Sequence, residues 1–125
     1  MNARTLPKTS SHVAHNAQVP AESLTSVEGR AGIGQVSVKP LLVGEEALLI
    51  EIVQAKGVRV PEHRHDDHES VIYLVRGRMR LNIDGQVSEV GPGDAWIHRR
   101  GVPHFSEALE ECLTIEVKTP PRKTW

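Results

Sequence analysis

The sequence predicts an all-β fold, a sandwich or a closed barrel, for most of this chain of 125 residues. Apolar residues recur at every second position in several short segments, as half-buried strands require. Glycine and proline separate those segments at short intervals, which is typical of tight turns. No segment has a convincing helical period, and residues 106–112 could form a turn or two at most. Short strands divided by such turns favour β architecture.

The chain divides into two parts by composition. Residues 1–28 are rich in Ser, Thr, Asn, Ala and Pro without sustained periodicity, so we expect a flexible N-terminal arm. Residues 29–125 are long enough for one domain with a single core.

Strands are predicted in chain order at residues 35–39, 47–54, 58–65, 70–75, 78–83, 86–90, 95–98 and 113–118. Pro40 interrupts the first of them. In the fifth, Met79, Leu81 and Ile83 share one side of the strand. Asp84 and the following glycine form the strongest short-range hairpin signal in the sequence.

Charge and composition exclude several classes of protein. The 15 basic and 16 acidic residues nearly balance, so we expect neither nucleic acid nor a membrane surface as a partner. The longest apolar run is far too short to span a bilayer. Cys112 is the only cysteine, and we expect a buried, inert thiol. A cytoplasmic location is the expectation.

Histidines carry the strongest functional signal. The chain has seven, and three of them lie between positions 63 and 68. His63 and His65 are two residues apart in an extended segment, so their side chains point to the same side. His104 returns from a later segment. Neutral imidazole suits zinc, copper, iron and nickel, so three converging rings indicate a transition-metal site.

These residues resemble the two motifs of the cupin superfamily, G-x5-H-x-H-x(3,4)-E-x6-G and G-x5-P-x-G-x2-H-x3-N. Gly57, His63, His65 and Gly77 fit the first motif, and Gly93, Gly101 and His104 fit the second. The resemblance covers roughly residues 34–119. It implies a double-stranded β-helix, or jelly-roll barrel, that holds one mononuclear divalent metal: iron, manganese, nickel or zinc.

The ligand set stays open at one position. Ser70 stands where the family usually has a third ligand, Glu or Gln, and the neighbouring candidates are Glu69 and His68. Strand alternation puts His68 and Ser70 on one side and Glu69 on the other, although a bulge could turn Glu69 inward. One candidate set is therefore His63, His65, Glu69 and His104, and the other is the three histidines alone. We favour the first set because its carboxylate would neutralise one unit of the metal charge.

Two further features bear on function. His98 lies where the family usually has an apolar residue, which makes it a candidate proton-transfer group. The segment from Pro103 to Arg122 resembles small cupins of the uronate-processing, pectin-degradation type.

The resemblance implies a metalloenzyme, a dioxygenase or an isomerase/lyase, acting on a small oxygenated or thiol-bearing acid. The alternative is a non-catalytic module that binds or senses a small ligand. We also expect a homodimer that pairs through an edge strand.

Overall fold

The computed structural model describes residues 4–31 and 33–125. Within them the chain is all-β apart from one 3-10 turn at Asn16–Gln18, which confirms the predicted fold class. The strands are β1 Glu22–Ser23, β2 Ser26–Val27, β3 Arg30–Ala31, β4 Val36–Val43, β5 Leu48–Gln54, β6 Arg59–His63, β7 Glu69–Arg76, β8 Met79–Ile83, β9 Gln86–Val90, β10 Ala95–His98, β11 His104–Ala108 and β12 Cys112–Thr119.

Two antiparallel sheets enclose the core. The larger has the strand order β1-β4-β5-β12-β7-β10 and the smaller has the order β6-β11-β8-β9, while β2 and β3 form a separate hairpin. Both sheets contribute buried side chains to one cluster, including Ile50 and Leu74 from the larger and Met79 and Leu81 from the smaller. Among the described residues, no helix is long and apolar enough to cross a membrane.

Two strands of the barrel itself, β4 and β11, differ from the prediction. Strand β4 continues through Pro40 because its pairing with β5 shifts register between Pro40 and Leu42, which accommodates the proline. Strand β11 was not predicted, because polar residues within it hide the alternation. It nevertheless pairs with β6 on one side and β8 on the other, and Glu107 within it binds Arg59 and Arg80.

Strand β12 presents its polar residues to the interior. Cys112, Thr114, Glu116 and Lys118 are buried, whereas the aliphatic side chains between them are half-buried on the outer face. On the neighbouring strand, Val71, Tyr73 and Val75 of that same outer face are exposed. The barrel therefore has a polar strip inside, on the strand between β5 and β7.

The N-terminal segment differs from the expected flexible arm. Leu24 and Val27 belong to the buried core, and β1 pairs with β4. Thr5 forms a bridge with Arg122, so the two ends of the chain lie side by side. Residues 4–28 therefore pack on the barrel, and the boundary expected after residue 28 does not separate an arm from a domain. Burial of the two apolar side chains explains the difference, since they are too far apart to form a periodic signal. Residues 1–3 of the expected arm lie outside the described residues.

Candidate metal centre

Strand pairing brings the first and third histidines together. His63 is the last residue of β6 and His104 is the first residue of β11, and the two are direct partners in the antiparallel ladder. His65 follows two residues after His63, in the connection to β7. The backbone amide of Gly101 donates to the carbonyl of His65 and ties this connection to the loop before β11. Two loops and one strand pair thus fix the three rings.

The three rings form one cluster. One nitrogen from each of His63, His65 and His104 lies within 4.8 Å of the others. The Nε2 atoms of His63 and His104 are 3.1 Å apart, and the ring centroid of His65 is 4.9 Å from each of the other two. The prediction of three converging imidazoles is confirmed in the geometry.

Hydrogen bonds made by Nδ1 of His63 and of His104 determine which nitrogen of each ring can bind a metal. Nδ1 of His63 lies 2.8 Å from the carbonyl oxygen of Pro61, and Nδ1 of His104 lies 3.1 Å from that of Val102. A carbonyl oxygen only accepts, so each Nδ1 carries the proton and each Nε2 carries a lone pair.

The lone pairs on Nε2 of His63 and Nε2 of His104 therefore face each other at 3.1 Å and repel. A cation bound by both nitrogen atoms would remove this repulsion. Zinc or a similar ion with nitrogen ligands at about 2.0–2.1 Å holds neighbouring donors roughly 3.0–3.4 Å apart. The residues present fit a metal.

Burial keeps these rings neutral, which is the form that binds a metal. The pKa of His104 is lowered to about 4, chiefly by desolvation and secondly by the neighbouring His63. Desolvation also lowers the pKa of His63 and of His65, with the nearby Lys118 charge as a contributing cause in both. At neutral pH none of the three needs to lose a proton before it coordinates.

A carboxylate from the N-terminal segment supports His65. Nδ1 of His65 lies 3.3 Å from Oε1 of Glu28, and the guanidinium of Arg4 forms two hydrogen bonds with the same carboxylate. An imidazole that donates to a carboxylate is fixed in orientation and becomes a better metal ligand. Glu28 was not predicted as a site residue, because a flexible arm was expected for this segment. A sequence signal for it is absent, since the contact depends on how residues 4–28 fold back.

The structure does not bring Glu69 to the three histidines. Glu69 begins β7 opposite Thr119, and the pairing of β7 with β12 stays in register from Thr114 to that point. Glu69 therefore lies on the outer side with Val71 and Tyr73, while Ser70 is fully buried on the inner side. The bulge that would have turned Glu69 inward is not formed. The geometry thus favours the three-histidine set over the set that includes Glu69.

His68 points inward but is engaged elsewhere. Its Nδ1 lies 2.9 Å from Oδ1 of Asp67, so Nδ1 donates and Nε2 accepts. The Nζ atom of Lys118 is 3.4 Å from that Nε2. His68 is completely buried and its ring centroid is 4.4 Å from that of His65. It packs beside the metal centre without joining the group whose ligand atoms converge.

His98 lies against the cluster. Its ring stacks on that of His104, with centroids 3.5 Å apart and planes 11° apart. Burial lowers its pKa well below the ordinary value, and the neighbouring His104 adds to the effect. The ring lines the interior cavity, so it is placed where a proton-transfer group would have to be.

A cavity of about 80 Å³ adjoins the three histidines. Apolar side chains form most of its wall, including Ile50, Ile72 and Trp96. Polar side chains of β12 enter it, and the Nζ atom of Lys118 lies 2.6 Å from Oε2 of Glu116. This pair was not predicted from the sequence, although the polar residues at every second position from 112 to 118 were a signal for it.

Comparison with known proteins now places the chain in a class. The family model described as the cupin domain matches residues 49–114, more than half of the chain, so the protein belongs to the cupin family. Its fold is the cupin jelly-roll barrel. An RmlC-like cupin from Shewanella frigidimarina is similar over 94% of this chain and 97% of its own, with a TM-score of 0.81 and 24% identity.

Two of the similar proteins carry the name KdgF, and one of them is described as a pectin degradation protein. The pectin degradation protein KdgF of Dickeya dadantii is 27% identical over 79 residues, which span 62% of this chain and 72% of the relative. The structure of KdgF from Halomonas sp. has a TM-score of 0.77 with 21% identity, covering 88% of this chain and 95% of its own.

A further similar structure is that of the polyketide cyclase RemF from Streptomyces resistomycificus. It has 26% identity and a TM-score of 0.73, covering 86% of this chain and 78% of its own.

Proposed function

We propose that this protein is a metal-dependent isomerase or lyase that acts on a small sugar acid of the uronate class. His63, His65 and His104 would hold one divalent cation. The observation that carries the proposal is the convergence of one nitrogen from each of three neutral histidine rings at the wall of a cavity that also contains a buried carboxylate and a buried ammonium group.

The donor set suits a catalytic cation. Three protein ligands leave coordination positions for a substrate, whereas a structural site is closed by four. A divalent cation held here would supply a Lewis acid that polarises a hydroxyl or carbonyl oxygen of the sugar acid. Zinc, iron, manganese and nickel all accept imidazole, and the nitrogen donors alone do not select among them.

The cavity provides proton-transfer groups beside that position. Glu116 places a carboxylate in the interior, and His98 places a neutral imidazole there. Either group can accept a proton from a carbon next to a carbonyl or carboxylate, which is the step that isomerisation and elimination share. The cavity, with a volume of about 80 Å³, suits a small substrate.

Similarity supports the substrate class. The Dickeya relative is a pectin degradation protein, and pectin is a polymer of uronic acids. The similarity of the C-terminal segment to uronate-processing cupins points in the same direction. A carboxylate-bearing sugar also suits a cation whose protein ligands are all neutral.

Elemental analysis of the purified protein is the first test, and we expect about one equivalent of a divalent transition metal. The second test adds an unsaturated uronate and follows its ultraviolet absorbance together with dissolved oxygen. We expect loss of absorbance without oxygen uptake, and we expect chelation or His104→Ala to abolish it. His12→Ala is the matched control, since His12 is exposed and does not belong to the cluster of three histidines.

Other outcomes separate the alternatives. Oxygen uptake with a thiol or a diketone would assign the protein to the dioxygenases instead. Metal retention and uronate binding without turnover would support a non-catalytic binding module. Protein that holds no metal when purified, and takes up none when it is supplied, would contradict the proposal.

A further inference from the structure

Three residues form one inner row across the larger sheet. Ser70 on β7 is paired with Lys118 on β12 and with His98 on β10. Residues paired directly across antiparallel strands have Cβ atoms about 4.5–5.5 Å apart. The short serine side chain is therefore flanked by two long ones, and all three lie beside the histidine cluster.

Lys118 occupies the space that a longer residue at position 70 would need. Its Nζ atom lies 3.3 Å from Oγ of Ser70 and 3.4 Å from Nε2 of His68, and its side chain is 3% exposed. Position 70 is where the cupin motif usually has a Glu or Gln ligand. This chain has Ser70 at that position and Lys118 opposite it. A possible metal ligand is thus replaced by an ammonium group, which has no lone pair with which to bind a metal.

Without an acidic side chain at position 70, the interior has too little negative charge to balance a divalent cation. Three neutral imidazoles around a divalent cation leave its two positive charges uncompensated. Glu116 lies 2.6 Å from Lys118, so this pair is neutral as a whole and does not offset the charge of the metal. Glu28 and Asp67, the carboxylates behind His65 and His68, each lie within ion-pair distance of an arginine. A buried charge without a partner is costly, so the cavity favours an anion.

We propose that Lys118 is a specificity-determining residue that binds the carboxylate of a small anionic ligand beside the three histidines. The inference rests on the proposed function, because it assumes a cation at those histidines, and it names the anionic group that the site requires. The contacts of the Lys118 ammonium with Oγ of Ser70, at 3.3 Å, and with Nε2 of His68, at 3.4 Å, are both long for hydrogen bonds. A carboxylate oxygen can replace them with a shorter charge-assisted bond.

The test measures anion binding rather than turnover. Cobalt(II)-substituted protein is titrated with glycolate and with glycolamide, its uncharged analogue, and the visible bands of the metal report the Kd of each. We expect wild-type protein to bind glycolate at least tenfold more tightly than glycolamide. In Lys118→Met we expect glycolate affinity to fall at least tenfold, while glycolamide and cobalt affinities stay within threefold. Lys39→Met is the control, since Lys39 lies outside the barrel and contacts Asn16.

A second variant keeps the proposal testable if Lys118→Met does not fold. Ser70→Glu supplies an internal carboxylate, and we expect it to lower glycolate affinity at least tenfold while cobalt stays bound. The inference is overturned if Lys118→Met, or Ser70→Glu where Lys118→Met does not fold, binds both cobalt and glycolate as tightly as wild-type protein. If wild-type protein takes up no cobalt at the histidines, the proposed function fails together with the inference, so the two failures are distinguishable.

Discussion

Glu28 accepts a hydrogen bond from Nδ1 of His65, 37 residues further along the chain, at 3.3 Å. The contact joins the N-terminal segment to the metal centre. Arg4 holds the same carboxylate, and Asp67 beside it lies within ion-pair distance of both Arg4 and Arg122. Residues from both ends of the chain thus form a charged layer behind the histidines, and the N-terminal segment is part of the site.

Glu28→Gln should weaken metal binding without abolishing it. The amide can still accept from Nδ1 of His65 but provides no negative charge, and loss of such a partner typically lowers metal affinity about 10–100-fold. Chelator competition with zinc or cobalt measures the effect. Glu45→Gln is the control, because Glu45 is exposed and pairs with Lys8. Equal affinities for the two variants would show that Glu28 does not support His65.

Glu69→Ala should leave metal affinity within about twofold of the wild-type value, because Glu69 lies on the outer side of β7. His65→Ala should lower it by about 100-fold or more, since one of three donors is lost. The same chelator competition compares the two variants. A tenfold loss in Glu69→Ala would restore the ligand set that includes the carboxylate and would contradict the three-histidine geometry.

The metal-free protein should lose stability as the pH falls from about 6.5 towards about 4. The folded-state pKa of His104 is about 4, whereas an unfolded histidine titrates near 6.5. Between these values the unfolded chain binds the proton and the folded chain does not, so protonation favours unfolding. Each such histidine contributes a slope of up to about 1.4 kcal/mol per pH unit.

Urea unfolding of metal-free protein at pH 7, 5.5 and 4.5 measures this slope. His104→Gln should make the pH dependence of the free energy of unfolding shallower by the contribution of one histidine, up to about 1.4 kcal/mol per pH unit. A free energy of unfolding that stays constant over the window would contradict neutral, desolvated rings in the folded state.

Gly77→Ala should destabilise the fold strongly. Gly77 has φ +99°, and an added Cβ would lie 2.4 Å from the carbonyl oxygen of Glu111 and 2.7 Å from Sγ of Cys112. Overpacking against backbone adds about 1–3 kcal/mol to the cost of the left-handed conformation. Gly85→Ala is the matched control, because Gly85 also has a positive φ, +80°, but open space around it. Similar denaturation midpoints for the two variants would exclude the close contact as the reason for this glycine.

Much of the fold and of the site was predictable because it is local. Alternation gave most strands to within a residue or two, and the spacing of His63 and His65 placed both rings on one side. The hairpin predicted at Asp84 was also correct, since β8 and β9 pair on either side of it, with Ile83 opposite Gln86. The expectation that Cys112 is buried was confirmed as well, and burial raises the pKa of its thiol; that the thiol is inert stays a prediction. The homodimer remains a prediction.

The sequence by itself determined the strand pattern, the glycine turns and the three histidines, because each depends on backbone geometry over a few residues. Only the tertiary structure decided that Glu69 faces outward, that Glu28 supports His65, and that Lys118 lies opposite Ser70. Those relationships depend on strand register and on the packing of the chain ends, which join residues 37 to 117 positions apart. No local pattern carries that information.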